Sequence, residues 1–325
     1  MRTLHLIDDQ HLMGPPEGAL AAIALLQQRD GEHAHALVAL LPPEDADLVR
    51  FFGATLSARI GITSGRARSA VRALGPILDR MGPFDRVQAW SPQTLRVARA
   101  LPGLAVLPPA PPDPPVDTRM FNAAARRRWR ERLGIGNDEI VITLIELDPE
   151  QPNAGNFGLT IPPLTCAIQD RAIVGLIPGR QVSDGAVRAA RYAGNAGNVW
   201  RIESVAAPRC AAALVADAVL CPSPQSMPDR WERWSSSQLA LRCARAMSIP
   251  IISGDFHGSQ PITQPIGSTR AKTRPGRVGI VTALFEALEH PAPLAPVVES
   301  TAASEDWLDR WRSSCRDRAV VPAID

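Results

Sequence analysis

The sequence has 325 residues, 45% of them hydrophobic and 21% charged, which is enough chain and enough apolar surface for two globular domains. The formal net charge of +2 gives no strong overall field that favours nucleic acid, so we expect no nucleic-acid partner. The five cysteines are odd in number and form no Cys-x-x-Cys pair, which argues against a disulfide framework or a zinc site, and we expect neither a metal nor a cofactor.

The N-terminal segment begins the first predicted strand. Asp8 and Asp9 follow the apolar residues 4–7 at once, so the segment lacks the apolar core of a secretory leader. No run in the sequence approaches the ~18 apolar residues of a membrane-spanning helix. We therefore expect a cytoplasmic protein without a transmembrane segment.

The first third of the sequence alternates short apolar runs with stretches of helical spacing. Short apolar runs indicate buried strands, and apolar residues three and four apart indicate helices. The predicted order is strand 4–7, helix 17–28, strand 34–41, strand 54–60, helix 67–81, strand 86–90, helix 92–100 and strand 104–107. This alternation predicts a parallel, doubly wound sheet.

A proline-rich segment separates the two halves of the sequence. Six of the eight residues from Pro108 to Pro115 are proline, which neither continues a helix nor joins the interior of a sheet. The segment predicts a stiff, extended connector. We place the domain boundary within it, with a first domain at residues 1–110 and a second at residues 111–300.

The same alternation restarts after the connector. The predicted order is helix 122–133, strand 139–146, strand 172–177, helix 183–193, strand 198–202, helix 208–215, strand 218–221, helix 236–247, strand 249–253 and helix 278–289. Residues 153–165 show no regular pattern. A last helix begins at Ser304 and carries Trp307 and Trp311 on one face. The predicted fold class is α/β, with two Rossmann-like domains whose parallel sheets face a cleft, and residues 301–325 are expected to pack back toward the first domain.

Several segments recur, in the same order, in a known family. Residues 216–223 are close to Ala-Asp-Val-Phe-Val-Leu-Pro-Ser, and residues 244–252 are close to Ala-Met-Ala-Cys-Gly-x-Pro-Val-Val. The other matching segments are 4–8, 14–17, 84–90, 115–121 and 141–151. In these motifs the chain resembles the family-four group of retaining glycosyltransferases, which have the GT-B fold. The resemblance implies an acceptor-side first domain, a donor-side second domain, and transfer of a sugar from a nucleotide sugar to an acceptor that the sequence does not identify.

The family's donor-binding positions carry other residues here. The resemblance places Glu146 and Gln151 where the family has the Arg and Lys that hold the donor diphosphate, and a carboxylate at the Arg position repels a diphosphate. It places Ser235 and Cys243 where the family has two Glu residues eight apart, and a thiol is a poor partner for a hydroxyl. The remaining donor-side candidates are Gly14, Arg180, Arg209 and Ser236.

Two functional hypotheses follow from these replacements. The protein is a glycosyltransferase that holds its donor with substitute residues, or it is a catalytically inactive pseudo-glycosyltransferase that serves as a binding or scaffold protein. On the acceptor side, Asp8, His11 and Trp90 lie at the expected edge of the cleft. Asp8 and His11 contact an acceptor or belong to a solvated loop, and the sequence alone leaves both interpretations open.

Three further segments have both a structural and a functional interpretation. Residues 235–238 open a helix, as a plain N-cap or as a phosphate site. The basic run at residues 126–130 is a solvated helix face or a contact for an acidic partner. Trp231 and Trp234 stack on a sugar ring or pack against the connector.

Overall fold

The computed structural model describes residues 1–8, 17–40, 52–60, 67–111, 121–146, 154–168, 170–178, 200–205, 208–222, 236–254, 276–289 and 301–316. The chain divides into two compact units. Unit 1 comprises Met1–Asp117, Pro228–Ser236 and Glu299–Asp325, and unit 2 comprises Thr118–Met227 and Ser237–Val298. No helix within these described stretches has the length and hydropathy needed to cross a membrane.

Unit 1 is built on a parallel five-stranded sheet, here called sheet A, with strand order β3-β2-β1-β4-β5. Its strands are β1 (Arg2–Asp8), β2 (Ala34–Leu40), β3 (Leu56–Arg59), β4 (Arg86–Ala89) and β5 (Ala105–Val106). Its helices are α1 (Glu17–Arg29), α2 (Ala67–Met81), α3 (Pro92–Arg99) and the C-terminal α10 (Thr301–Arg316).

The two faces of sheet A differ in polarity. One face packs an apolar core in which Leu4 and Leu6 of β1 join Val38 of β2, Leu74 of α2 and Val97 of α3. Because side chains alternate along a strand, the residues between these point to the opposite face. That opposite face carries a buried polar row consisting of Thr3, His5, His35, Arg86 and Gln88.

Unit 2 is built on a second parallel five-stranded sheet, sheet B, with strand order β10-β9-β6-β7-β8. Its strands are β6 (Ile140–Leu144), β7 (Ile173–Pro178), β8 (Trp200–Val205), β9 (Ala218–Cys221) and β10 (Ile251–Ser253). Its helices are α4 (Ala123–Arg132), α5 (Ala154–Gly158), α6 (Ile161–Ala167), α7 (Arg209–Val215), α8 (Ser236–Ala246) and α9 (Gly276–Glu289).

The central strands of sheet B are apolar on both faces, which is why the sequence shows them as continuous hydrophobic runs. Ile142 and Leu144 of β6 pack against Phe157 of α5, Leu164 of α6 and Leu284 of α9. On the other face, the hydroxyl of Thr143 donates to the carbonyl of Ala212 in α7 at 2.9 Å. Helices therefore cover both sides of the sheet.

Local signals in the sequence set the ends of several helices. Ser91 caps α3 by a reciprocal capping box with Thr94. Asn122 caps α4 by accepting from the amide of Ala125, and Gly134 follows that helix with a φ of 66°. Ser248 follows α8 with a φ of 57°, at the position where the family motif has glycine.

The predicted fold class is confirmed, since both units are α/β with all-parallel sheets of the Rossmann type. The prediction for residues 153–165 is wrong, because α5 and α6 occupy this segment. The prolines at the start of α6 caused the error, since a helix tolerates Pro in its first turn, where the amide is not needed. The helix predicted for residues 183–193 lies outside the described residues.

Candidate functional site

Each sheet has one topological switch point, where successive strands depart to opposite sides of the first strand. In sheet A the point lies between β1 and β4, and in sheet B it lies between β6 and β9. Ligands of open α/β sheets bind at the carboxyl ends of the strands beside such a point. The residues at these ends are Asp8 and Trp90 in unit 1, and Glu146 and Cys221 in unit 2.

At the switch point of unit 1, the polar groups bond to one another. Asp8 is 2% exposed, and its Oδ2 accepts a 2.9 Å hydrogen bond from the hydroxyl of Ser91. Ser91 in turn accepts from the amide of Thr94 at 3.0 Å, and Pro92 offers no amide proton. Asp8 therefore supports the N-terminus of α3 here, and its predicted contact with an acceptor stays a prediction.

Trp90 lies beneath this point, with only 1% of its surface exposed. Its indole Nε1 donates to Nδ1 of His5 at 3.2 Å. Direct stacking on an acceptor would require the ring to leave this position. Its acceptor role also stays a prediction.

At the switch point of unit 2, the start of α8 contacts the end of β6. The hydroxyl of the buried Ser237 donates to the carbonyl of Glu146 at 2.6 Å. Glu146 is half-buried, and Cys243 is fully buried further along α8. Arg209 begins α7, the helix after β8, so its backbone lies at the same carboxyl edge of sheet B. The fold thus brings three predicted donor-side positions to one edge of sheet B, namely Glu146, Arg209 and Ser236 at the start of α8. Cys243 lies further along α8, away from this edge.

Other predicted site residues lie outside the described residues. These are Gly14, Gln151, Arg180, Ser235 and His11, together with Trp231 and Trp234. Ser236 is described as the first residue of α8, without its side chain. The roles assigned to these residues stay predictions.

The basic run of α4 contains a buried ion-pair cluster. Arg126 donates to Asp217 Oδ1 at 2.7 Å and to the carbonyl of Leu214 at 2.9 Å. Arg130 donates to the carbonyls of Val215 and Gly136 at 3.1 and 2.8 Å. Burial lowers the pKa of Arg126, and the Asp217 carboxylate opposes that shift.

The solvated-face interpretation of this run is therefore wrong for Arg126 and Arg130 and holds for the exposed Arg127 and Arg128. The buried pair caps the carboxyl end of α7, where backbone carbonyls need donors. Their spacing of four residues puts both on one helix face. This spacing was the feature of the sequence that could have indicated a shared helix face. Their partner Asp217 lies 91 residues from Arg126 in the sequence.

The cysteines are mostly small buried side chains, as expected, and Cys166 is the exception because it is exposed. Burial raises the pKa of Cys221 to about 12 and that of Cys315 to about 11. Thiols with such pKa values are poor nucleophiles at neutral pH. The described geometry offers no activated thiol at either switch point.

A histidine cluster on unit 1 was not singled out from the sequence, although its signal, Asp-x-x-His-x-His at residues 30–35, was present. Within the described residues, Asp30, His33 and His35 alone form a group of three metal-ligating side chains whose ligand atoms lie within 4.8 Å of one another. Asp30 Oδ2 lies 2.7 Å from His33 Nδ1 and 2.9 Å from His35 Nε2.

This cluster does not fit a metal ion. Asp30 Oδ1 accepts from Nε and Nη2 of Arg312, at 3.2 Å each, and from the amide of Glu32 at 3.3 Å. Hydrogen bonds from these donors and the two imidazoles fill the roughly four acceptor sites of a carboxylate. The adjacent Arg312 guanidinium would also repel a cation. The cluster is a hydrogen-bonded anchor for α10.

Comparisons with known proteins support the fold. No family model matches the chain, and no curated protein does. The UDP-GlcNAc 2-epimerase from Neisseria meningitidis bound to UDP-GlcNAc aligns with a TM-score of 0.58 and 10% identity, over 96% of this chain and 100% of that chain. The UDP-GlcNAc 2-epimerase from Methanocaldococcus jannaschii aligns with a TM-score of 0.56 and 12% identity, over 94% and 98% of the chains. AviGT4, a glycosyltransferase involved in avilamycin A biosynthesis, aligns with a TM-score of 0.52 and 13% identity, over 98% and 99%.

Proposed function

We propose that this protein binds a nucleotide sugar at the carboxyl edge of sheet B and transfers its sugar to an acceptor, as a glycosyltransferase of the family-four type. The observation that carries the proposal is the junction of β6, β9 and α8 at the switch point of unit 2. An α-helix N-terminus at a switch point is a common binding place for phosphate groups in α/β proteins. A UDP-sugar is the first candidate, because the Neisseria protein that shares this fold binds UDP-GlcNAc.

The proposed roles follow from charge and position. The amides at the start of α8 would meet the diphosphate, and Arg209 would supply a cation from the next helix N-terminus at the same edge. Arg180, Gln151 and Ser235 complete the proposed donor side. Glu146 opposes binding, since its carboxylate stands where the family has an arginine.

A second candidate function is a binding or scaffold protein without transferase activity. The observations that favour it are the carboxylate of Glu146 at the strand end and the full burial of Cys243, which replaces a family acid. A buried thiol offers a ribose hydroxyl only a weak hydrogen bond. The transferase requires nucleotide binding in unit 2, whereas the scaffold, which has lost the family's donor-binding residues, does not require it.

Isothermal titration with UDP, UDP-GlcNAc, ADP-glucose and GDP-mannose tests binding, and chromatography of the nucleotide products tests turnover. Heat of binding with release of free nucleotide supports the transferase. Binding of a nucleotide sugar without release of free nucleotide, over a panel of acceptors, supports the scaffold. The absence of heat at millimolar concentrations with every nucleotide contradicts the transferase and favours the scaffold.

A charge-reversal pair tests the location of the site. Glu146→Arg changes the charge by two units at the carboxyl edge of sheet B. Glu131→Arg makes the same change on an exposed residue at the end of α4, which leads to the opposite edge of the sheet. We expect Glu146→Arg alone to raise UDP affinity. Equal affinities for the two variants would place the diphosphate elsewhere.

A further inference from the structure

The C-terminal helix α10 packs on the polar face of sheet A. The ring centroid of Trp311 lies 5.7 Å from that of His33 and 5.3 Å from that of His35. The guanidinium of Arg86 lies 5.6 Å from the same indole. The helix therefore covers imidazoles and a cation at positions where most docked helices meet apolar side chains.

Hydrogen bonds link the strands beneath α10 into one chain with a fixed direction. The indole of Trp90 only donates, so Nδ1 of His5 must accept at 3.2 Å. The proton of a neutral His5 then lies on Nε2 and points at Nδ1 of His35, 2.9 Å away. The proton of a neutral His35 accordingly lies on Nε2 and points at Asp30, at 2.9 Å. We assign these tautomers from the pattern of donors and acceptors.

In this hydrogen-bond chain, neutral His5 and His35 already carry every proton that the bonds allow. A second proton on His35 would lie on Nδ1 and face the Nε2 proton of His5. A second proton on His5 would lie on Nδ1 and face the indole proton of Trp90. A second proton on either imidazole therefore replaces a buried hydrogen bond with two N–H donors that face each other. Two buried donors in contact are costly in free energy because neither has an acceptor.

The charges around the chain also oppose protonation. Asp30 shares its carboxylate with Arg312, while Nη2 of Arg86 is buried without a hydrogen-bond partner among the described residues. Arg86 Nε donates to the hydroxyl of Thr3, which leaves its charge without a counter-ion in the described part of the chain. The titratable and charged groups on the elements around the imidazoles are Asp30, Glu32 and His33 between α1 and β2, Arg86 on β4, and Glu305, Asp309, Arg312, Cys315 and Arg316 on α10.

The directions of the pKa shifts agree with this geometry. Burial lowers the pKa of His5 well below 6.5, and the charges of His35 and Arg86 lower it further. Burial also lowers the pKa of His35, against the opposing effect of Asp30. Burial works to raise the pKa of Asp30, but its hydrogen bonds from His35 and His33 outweigh it and lower the pKa.

We propose that α10 is a proton-sensitive latch, which stays docked on sheet A while His5 and His35 are neutral and detaches when this pair takes up a proton. Detachment would remove Trp307 and Trp311, both fully buried now, from the polar face of the sheet. It would break the bonds between Arg312 and Asp30 and between the Trp307 indole and the Pro111 carbonyl.

The direction of the pH effect follows from linkage. An imidazole whose pKa is lowered in the docked state binds a proton more readily when α10 detaches. Docking is therefore complete above the ordinary histidine value of 6.5 and weakens as the pH falls below it. For each pH unit below that value, the equilibrium constant for docking falls about tenfold when one proton is taken up.

Hydrogen exchange measured by mass spectrometry at pH 7.5 and 5.5, corrected for intrinsic rates, tests the latch in the full chain. We expect protection of α10 to fall about tenfold at pH 5.5, while α4 of unit 2 and strands β1 and β4 keep theirs. Equal protection of α10 at the two pH values would overturn the proposal. A loss of protection in β1 and β4 together with α10 would also overturn it, because that pattern is unfolding of unit 1.

Two variants separate the latch from simple packing. Arg86→Met removes the unpaired cation and leaves the imidazole chain in place, which raises the pKa of His5 and His35 in the docked state toward 6.5, so we expect α10 protection to fall by less than the tenfold of the native chain between pH 7.5 and 5.5. Arg310→Met removes an exposed arginine paired with Asp306 on α10, and its loss of α10 protection should equal that of the native chain. A loss in Arg86→Met as large as that of the native chain, or stronger α10 protection when zinc chloride is added, would refute the latch.

Discussion

Neutralising Asp217 should destabilise unit 2, because this carboxylate holds two buried arginines. Asp217 accepts from Arg126 at 2.7 Å, from Arg130 at 3.4 Å and from the amide of Val141 at 2.8 Å. The side chains of Arg126 and Arg130 are 11% and 7% exposed, and that of Asp217 is 28% exposed. Asp217→Asn keeps the shape of the side chain and removes its charge.

The expected loss follows from the burial of the three groups. Breaking a fully buried ion pair costs about 3–5 kcal/mol, because one charge is left without a partner. Since Asp217 reaches solvent in part, screening reduces this figure, and we expect a loss of about 2–3 kcal/mol in the free energy of unfolding. The new amide group adds a second penalty, since its N–H protons face the donors of Arg126, Arg130 or Val141.

Urea unfolding followed by far-ultraviolet circular dichroism measures the loss. Asp138→Asn is the matched control, because Asp138 is exposed in the same unit, and a change there should stay within about 0.5 kcal/mol. The double variant Arg126→Met/Asp217→Asn should lose less than the sum of its single changes, since removing one guanidinium relieves part of the unpaired charge. If Asp217→Asn unfolds at the same urea concentration as Asp138→Asn, the arginines do not depend on this carboxylate.

Four other expectations can be checked with single substitutions or labels. Glu146→Arg should raise UDP affinity about tenfold in calorimetry, the effect of roughly 1.4 kcal/mol from reversing a charge near a diphosphate, and no change would move the diphosphate away from β6. Ser91→Ala should cost about 1–2 kcal/mol in urea unfolding through loss of the α3 cap, and a neutral result would mean that the cap contributes nothing. Ser248→Gly should stabilise by about 1 kcal/mol, because glycine has no Cβ to strain at a φ of 57°, and destabilisation would show that the serine side chain has a structural role. A thiol reagent at pH 8 should label Cys166 alone in the folded chain, and labelling of a buried cysteine would contradict the packing described.

The strands could be predicted because parallel sheets bury both faces. A strand such as β6 is buried at every position and apolar at all but Thr143, so its sequence is a nearly continuous hydrophobic run bounded by charged residues. The caps were equally local, since Ser91 and Asn122 directly precede their helices. Elements whose signals lie within a few residues were therefore found close to their observed bounds.

The buried polar groups could not be predicted because their partners are distant in sequence. Arg126 looked like part of a solvated run until the fold brought Asp217 to it. His5 belongs to an apolar strand, and its contacts with His35 and Trp90 come from residues 30 and 85 positions away. Pairing of this kind depends on strand order, which a short motif does not report.

The two switch points differ in what they can offer an anion. At unit 1, Ser91 already accepts from the amide of Thr94, Pro92 has no amide proton, and the carboxylate of Asp8 stands beside them, so a phosphate would meet a fixed negative charge and few donors. At unit 2, α8 is eleven residues long, and its N-terminus carries a partial positive charge of about half a unit at the carboxyl edge of sheet B. The full negative charge of Glu146 lies at the same edge, and it exceeds the attraction of the helix unless an arginine also contributes. We therefore expect the native chain to bind UDP weakly and with a strong dependence on salt, and the affinity to be set by the balance between Glu146 and Arg209.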